Sequence, residues 1–247
     1  MKKSFLIPCG YKHSSLLNNI SKLLEISTTK PEEVIIHISS CPDNFDYKNI
    51  LQSFFNKQYD FKYEITKDFR DAGTNRNNLA EHSAGEILIY QDADDFFHPQ
   101  RIELIQNSFQ EKDILHLIHS YYPNRKPLED ISFQKICFNP TKLWPLEQYH
   151  KIIFKNKLDD YKNFQCYGTF ENNNEISCNV DYWLHNGAIS IKKEVLQKVK
   201  WKSKNEQKNI AEDQDFNFEC FYHFNKSYTL LERIYYYNLN NRTNGGF

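Results

Sequence analysis

Hydrophobic and polar positions alternate in two rhythms along the first part of the chain. Ser4–Pro8 is a short apolar run, and Ser14–Glu25 carries Leu16, Leu17, Ile20, Leu23 and Leu24 on one helical face. Glu33–Ser39 reads as a buried second strand, Asn49–Phe55 as a short helix, and Phe61–Thr66 alternates like a third strand. Asn75–Ser83 has a helical pattern, and Glu86–Gln91 (Ile87, Leu88, Ile89, Tyr90) forms a fourth apolar run. This repeated strand–helix rhythm predicts an α/β fold, Rossmann-like, with a mainly parallel sheet flanked by helices. In such sheets ligands bind beyond the carboxyl ends of the strands. Those ends carry Pro8–Tyr11, Ser39–Asp43 and Asp92–Asp95, which are expected to converge on one crevice.

The remainder is less regular. Arg101–Gln110 reads as a helix, Ile114–Ser120 as a strand, and residues 121–180 are polar and aromatic, broken by Pro123, Pro127, Pro140 and Pro145. Ala188–Lys192 reads as a strand leading into a helix at Lys193–Val199; a helix from Asp213 to Phe224 and a strand at Leu230–Tyr237 follow. With no internal repeat and no low-complexity linker, one domain over residues 1–247 is expected.

Composition narrows the function classes. Thirty-one basic residues against 32 acidic ones leave no electrostatic footprint for nucleic acid or an anionic membrane. The six cysteines lack a CxxC pair or metal-ligand spacing, so reduced, partly buried thiols are expected. Phe5-Leu6-Ile7 ends at Pro8, too short for a signal-peptide core, and no run of apolar residues is long enough for a transmembrane segment. A cytoplasmic protein is expected. Sixteen Tyr and 19 Phe exceed what a minimal core requires, so part of them is expected to line a binding surface.

Two acidic clusters carry candidate chemistry. Asp92, Asp94 and Asp95 directly follow the fourth apolar run. Their mutual repulsion is relieved by a cation, and hard oxygen ligands suit Mn²⁺ or Mg²⁺. A solvated turn with an Asp as helix cap has the same spacing. Glu212-Asp213-Gln214-Asp215 opens a helix, where acidic residues also complement the helix dipole. Spacing alone does not choose between the readings of the first cluster, and for the second it favours the helix-dipole role.

The order of several motifs does. Ile87–Asp95 followed by His98-Pro99-Gln100-Arg101 resembles the DxD signature of family 2 glycosyltransferases with the GT-A fold. Arg76-Asn77 and Ser83-Ala84-Gly85-Glu86 are similar to that family's Ala-Arg-Asn helix and its approach to the DxD strand. His185–Leu196 resembles the family's strand and Arg-Arg-x-Val-Leu helix, and Ala211–Phe216 resembles its second acidic motif.

The resemblance implies a division of labour, with residues 1–97 as a nucleotide-sugar-binding half and 98–247 as an acceptor-binding half. Pro8, Cys9, Tyr11 and Arg76 are implied to hold the base and ribose of a nucleotide-sugar donor, most commonly a UDP-sugar in this family. Asp92, beside Gln91, is implied to contact ribose or metal, and Asp94 to coordinate Mn²⁺ or Mg²⁺ on the diphosphate. The family's base-gripping Asp at the end of the second strand is replaced by Ser39-Ser40-Cys41-Pro42-Asp43, where Ser39 and Asp43 are the candidates.

Asp213 matches the family's general base, with Glu212 and Asp215 as alternatives, and the family reaction inverts the anomeric centre. An Asp with the ordinary pKa of about 3.9 is already ionised for that role at neutral pH. Trp183, His185, Asn186 and Gly187 are candidates to face donor sugar or acceptor, and His98 is expected to be structural. Asn240 stands where the family often has a metal- or diphosphate-binding His, with Asn241 and Arg242 beside it. The acceptor, a glycan, a lipid-linked group or a protein, is not specified.

Two rival functions share part of this pattern. Haloacid-dehalogenase-type phosphatases also carry DxD after an apolar strand, but on the first strand of the core. A catalytically silent carbohydrate-binding protein could retain the same fold.

Overall fold

In the computed structural model the described residues are 1–146, 167–168, 178–179, 189–203 and 212–239. Four parallel strands begin the architecture: β1 (Lys3–Gly10), β2 (Glu33–Ser39), β3 (Asp60–Ile65) and β4 (Ile87–Tyr90). Three helices connect them: α1 (Leu17–Ile26), α2 (Tyr47–Leu51) and α3 (Ala72–His82). β5 (Phe96–Phe97), α4 (Arg101–Glu111), β6 (His116–Asn124) and β7 (Leu143–Pro145) follow. β8 (Tyr167–Gly168) and β9 (Cys178–Asn179) form a separate antiparallel pair. β10 (Ser190–Lys192), α5 (Glu212–His223) and β11 (Ser227–Asn238) complete the order.

The main sheet runs β3-β2-β1-β4-β10-β6-β11-β5, with β7 also on β11. β10 lies antiparallel to both β4 and β6, while β11 runs parallel to β6. The sheet is therefore mainly parallel in its first half and mixed in its second. Side-chain alternation fills both faces. Phe5, Ile7 and Cys9 of β1 join Ile87 and Ile89 of β4 under α1 and α4. Leu6, Leu88 and Tyr90 point the other way, into a core with Leu79, Trp201 and Phe216.

Several boundaries differ from the sequence expectation. α3 starts at Ala72 rather than Asn75, because Asp71 caps it by accepting from the Thr74 amide at 2.8 Å. Its Gly73 is the close-contact point, since a Cβ there would collide with the carbonyl of Lys202. The expected helix at Lys193–Val199 is a single 3-10 turn, Lys193–Gln197. After that turn the chain leaves for α3, where Asn77 bonds the Trp201 backbone in both directions, at 2.7 and 3.1 Å. β5 and β7 were not expected; runs of two and three residues carry no periodicity. Among the described residues no helix is long and apolar enough to cross a membrane.

Candidate active site

The acidic loop after β4 is built from beneath. Arg101 is fully buried, with its guanidinium near the rings of Phe5, Phe97 and Tyr235 at 5.8, 5.9 and 5.2 Å. It donates to the side-chain carbonyl of Gln91, to Tyr90 O at 2.8 Å and to Nδ1 of His119 at 3.2 Å. Gln91 in turn donates to the carbonyls of Asp92 and Asp95, at 2.9 and 3.2 Å. Gln91 is thus a buried strut of the loop, its amide committed to backbone.

The three carboxylates of the loop divide by environment. Asp95 is buried and accepts from the Tyr235 hydroxyl and, at 2.8 Å, from the Asn238 amide. Burial raises its pKa well above the ordinary value, and the neighbouring Asp94 and Asp92 add to the rise. Asp92 and Asp94 stay partly open, with side chains 27% and 29% exposed. An Oδ of Asp94 lies 3.9 Å from Nδ1 of His13, in the turn that follows β1. The ends of β1 and β4 therefore meet, as strand-end geometry requires.

Arg76 joins this loop to the second acidic motif. Its buried guanidinium donates to Oδ1 of Asp92 at 2.7 Å and to Oε1 of Glu212 at 3.0 Å. It also lies over the ring of Trp201, 4.6 Å from the centroid. Burial by itself would lower its pKa, but Asp92, Glu212 and Asp213 hold it above the ordinary arginine value.

Asp213 stands next to Glu212 at the start of α5 and is half-buried. Burial pushes its carboxyl from 3.8 to about 7; Glu212 adds to the rise, and Arg76 opposes it. The ordinary carboxylate pKa expected from sequence is therefore corrected: partial burial among like charges makes this a group poised near neutrality. Asp215 is drawn elsewhere, into ion pairs with Lys202 (2.6 Å), which also reaches Glu219 (3.6 Å).

The remaining candidates spread over the strand ends. Pro8 is buried, and the Cys9 thiol is buried and directed at Gly10 O at 3.3 Å, its pKa raised by burial. Tyr11 is 40% exposed, its ring edge-on to Phe45 at 5.3 Å. Ser39 is buried and accepts from Asn75 at 3.1 Å. Asp43 is 86% exposed and paired with Lys67. His98 is structural: Nδ1 accepts from the Gln100 amide at 3.1 Å, so Nε2 donates to Gln134 O at 2.9 Å. Trp183, His185, Asn186, Gly187, Asn240, Asn241 and Arg242 lie outside the described residues. Sequence reasoning missed the parts played by Trp201, which sits in no motif, and by Tyr235, whose strand was expected but not its bond to Asp95.

Among the described residues no group of three His, Cys, Asp or Glu converges as a ready metal cage. The donor set still fits Mn²⁺ or Mg²⁺ carried on a diphosphate, because Mg²⁺ is usually bound through one or two carboxylates plus substrate phosphates. Asp94 and Asp92 are such a pair, both partly open to solvent.

The model of Glycosyl transferase family 2 matches residues 4–170, spanning β1 through the acidic loop and beyond. The chain belongs to this family. A comparison with curated proteins by sequence gives no match. Among solved structures, S. aureus TarS 1-349 in complex with UDP-GlcNAc is 15% identical with a TM-score of 0.65, covering 100% of this chain and 60% of that one. Glucosyl-3-phosphoglycerate synthase from Mycobacterium tuberculosis, in complex with Mn²⁺, UDP and glucosyl-3-phosphoglycerate, is 9% identical. Its TM-score is 0.58, over 98% of this chain and 73% of that one. These likenesses establish the GT-A fold, and this family 2 chain spans about 60% of the length of TarS 1-349. The acidic loop follows the fourth strand, as expected, and not the first, where a phosphatase of the haloacid-dehalogenase type carries its DxD.

Proposed function

We propose that this family 2 glycosyltransferase moves a sugar from a UDP-sugar to an acceptor hydroxyl with inversion, using Asp213 as general base and Mn²⁺ or Mg²⁺ as cofactor. The observation that carries the reading is the convergence of Asp92 and Glu212 on Arg76, with Asp213 next in the chain. That arrangement brings the donor-side loop and a carboxyl with a near-neutral pKa to one place. UDP is chosen because TarS and the synthase both carry UDP or a UDP-sugar in their structures.

In the proposed reaction the Tyr11 ring flanks the base, while Asp92 and Asp94 would hold Mn²⁺ or Mg²⁺ with the diphosphate. A divalent ion held there would supply positive charge to the leaving diphosphate. Asp213 accepts the proton of the acceptor hydroxyl as its oxygen bonds to the anomeric carbon. The bond from that carbon to the phosphate oxygen breaks on the opposite face, releasing UDP and inverting the centre. A base of pKa near the operating pH combines a large ionised fraction with useful basicity. Trp183, His185, Asn186 and Gly187 are proposed to contact donor sugar or acceptor.

The test is release of free nucleoside diphosphate from a panel of UDP-, GDP- and dTDP-sugars, with and without Mn²⁺. Metal-dependent release from a UDP-sugar, increased by an acceptor glycan, is expected. No release from any donor would favour a silent carbohydrate-binding protein of the same fold.

A further inference from the structure

Arg76 has more than an ordinary ion pair around it. Its partners lie 16 and 136 residues away in sequence, one on the acidic loop and one at the first residue of α5. The support beneath the guanidinium is continuous. Trp201 stacks on Phe216 of α5 with ring centroids 4.0 Å apart and planes 6° from parallel. It meets Tyr90 of β4 edge-on at 5.3 Å, and Asn77 of α3 fixes its backbone. The loop after β4, α3 and α5 therefore meet around one buried cation.

A guanidinium is suited to this position because it is planar and presents several donors in fixed directions. Arg76 uses one terminal nitrogen for each carboxylate, so the two acidic motifs are held at a set separation. A ligand that engages the other oxygen of Asp92 shares that carboxylate with the bridge, which occupies Oδ1. The first turn of α5, which carries Asp213, lies at the other end.

We propose that Arg76 is a positioning residue that transmits donor engagement at Asp92 through Glu212 to the first turn of α5. Arg76 is thus assigned to coupling rather than to the nucleotide base, and its job is to order Asp213 when the donor is in place. The proposal rests on the donor reading given above, in which UDP with Mn²⁺ engages Asp92.

Hydrogen–deuterium exchange tests it without any transfer step. The amides of residues 213–217 are followed in wild type and in Glu212→Gln, each with and without saturating UDP and Mn²⁺. Glu212→Gln keeps the side-chain shape but removes the charge facing Arg76. Couplings between sites are typically about 5–150-fold, so UDP should slow exchange in wild type by at least about fivefold. In Glu212→Gln the slowing should vanish while calorimetric UDP affinity stays within about threefold, below that coupling range. Arg76→Lys should likewise lose the slowing of exchange by bound UDP, because one ammonium does not reproduce the fork. Bound UDP that leaves exchange unchanged in wild type, or slows it equally in Glu212→Gln, overturns the coupling and leaves the donor reading intact. Absence of UDP binding to wild type overturns the donor reading and the coupling with it.

Discussion

Tyr235 on β11 donates its hydroxyl to the buried carboxyl of Asp95, 140 residues earlier in the chain. The contact fastens the last described strand to the acidic loop, and the Asn238 amide adds a second bond at 2.8 Å. One carboxylate of the loop therefore anchors it, while Asp92 and Asp94 remain partly open. Tyr235→Phe removes the donor and leaves Asp95 short of a partner in the interior. Leaving a buried polar group unsatisfied typically costs about 1–3 kcal/mol. Urea unfolding should show stability reduced by that amount, read as a lower midpoint with an unchanged slope. An unchanged midpoint would mean that the hydroxyl contributes nothing to holding the loop.

The position of Asp213 makes two pH predictions. In its proposed role as base Asp213 works only when ionised, and its pKa stands at about 7. Transfer by wild type should therefore rise with pH, with half of the rise reached near 7. Residual transfer by Asp213→Asn should lack that inflection. Stability should move in the opposite sense. The folded protein holds this proton more tightly than the unfolded chain, whose Asp titrates near 3.9. The stabilising contribution is complete below about pH 4 and is lost as pH rises through about 7. Thermal melts of the metal-free protein from about pH 5 to 8 should show wild type losing stability relative to Asp213→Asn. Curves that run parallel across that range would place the carboxyl at its ordinary pKa.

Much of the first half was legible because its signals are long and local. Val34, Ile35, Ile36 and Ile38 lie in a strand expected at Glu33–Ser39 and observed with those bounds. The acidic loop was legible for the same reason, as Ile87–Tyr90 marks the strand that presents it. What escaped the sequence depends on long-range partners. Asp95 looks like Asp92 and Asp94 in the sequence, yet a tyrosine far along the chain turns it inward. Arg76 reads as a ligand for the nucleotide, and nothing local announces Asp92, Glu212 and Trp201 around it. Asp213 reads as an ordinary acid until burial beside Glu212 is known. The mixed order of β10, β6 and β11 is another nonlocal feature, since strand pairing leaves no mark on a three-residue run such as Ser190–Lys192.

Asp94→Asn tests the proposed metal role apart from folding. Its side chain is 29% exposed, and its neighbours Asp92 and Asp95 are like-charged when ionised. Asp94→Asn should weaken calorimetric binding of UDP in Mn²⁺ by at least about tenfold, the lower end for loss of a group that tunes or holds a metal. In EDTA both proteins should bind UDP weakly and alike. The melting temperature of the metal-free variant should hold or rise as repulsion is relieved. A large fall in that temperature would mark Asp94 as a structural cap, and equal UDP affinity with Mn²⁺ and with EDTA would contradict a metal-bridged donor.

The central claim is that Asp213 takes the proton from the acceptor. Asp213→Asn preserves the shape of the side chain and removes its basicity, whereas donor binding is assigned to Asp92, Asp94 and Tyr11. The most direct measurement is turnover of Asp213→Asn at saturating donor and acceptor, beside its donor affinity. General-base contributions are typically about 10²–10⁴-fold, and turnover should fall by that order while donor affinity stays near wild type. Turnover within about threefold of wild type, far below that range, would contradict the account and move the base to Glu212 or Asp215.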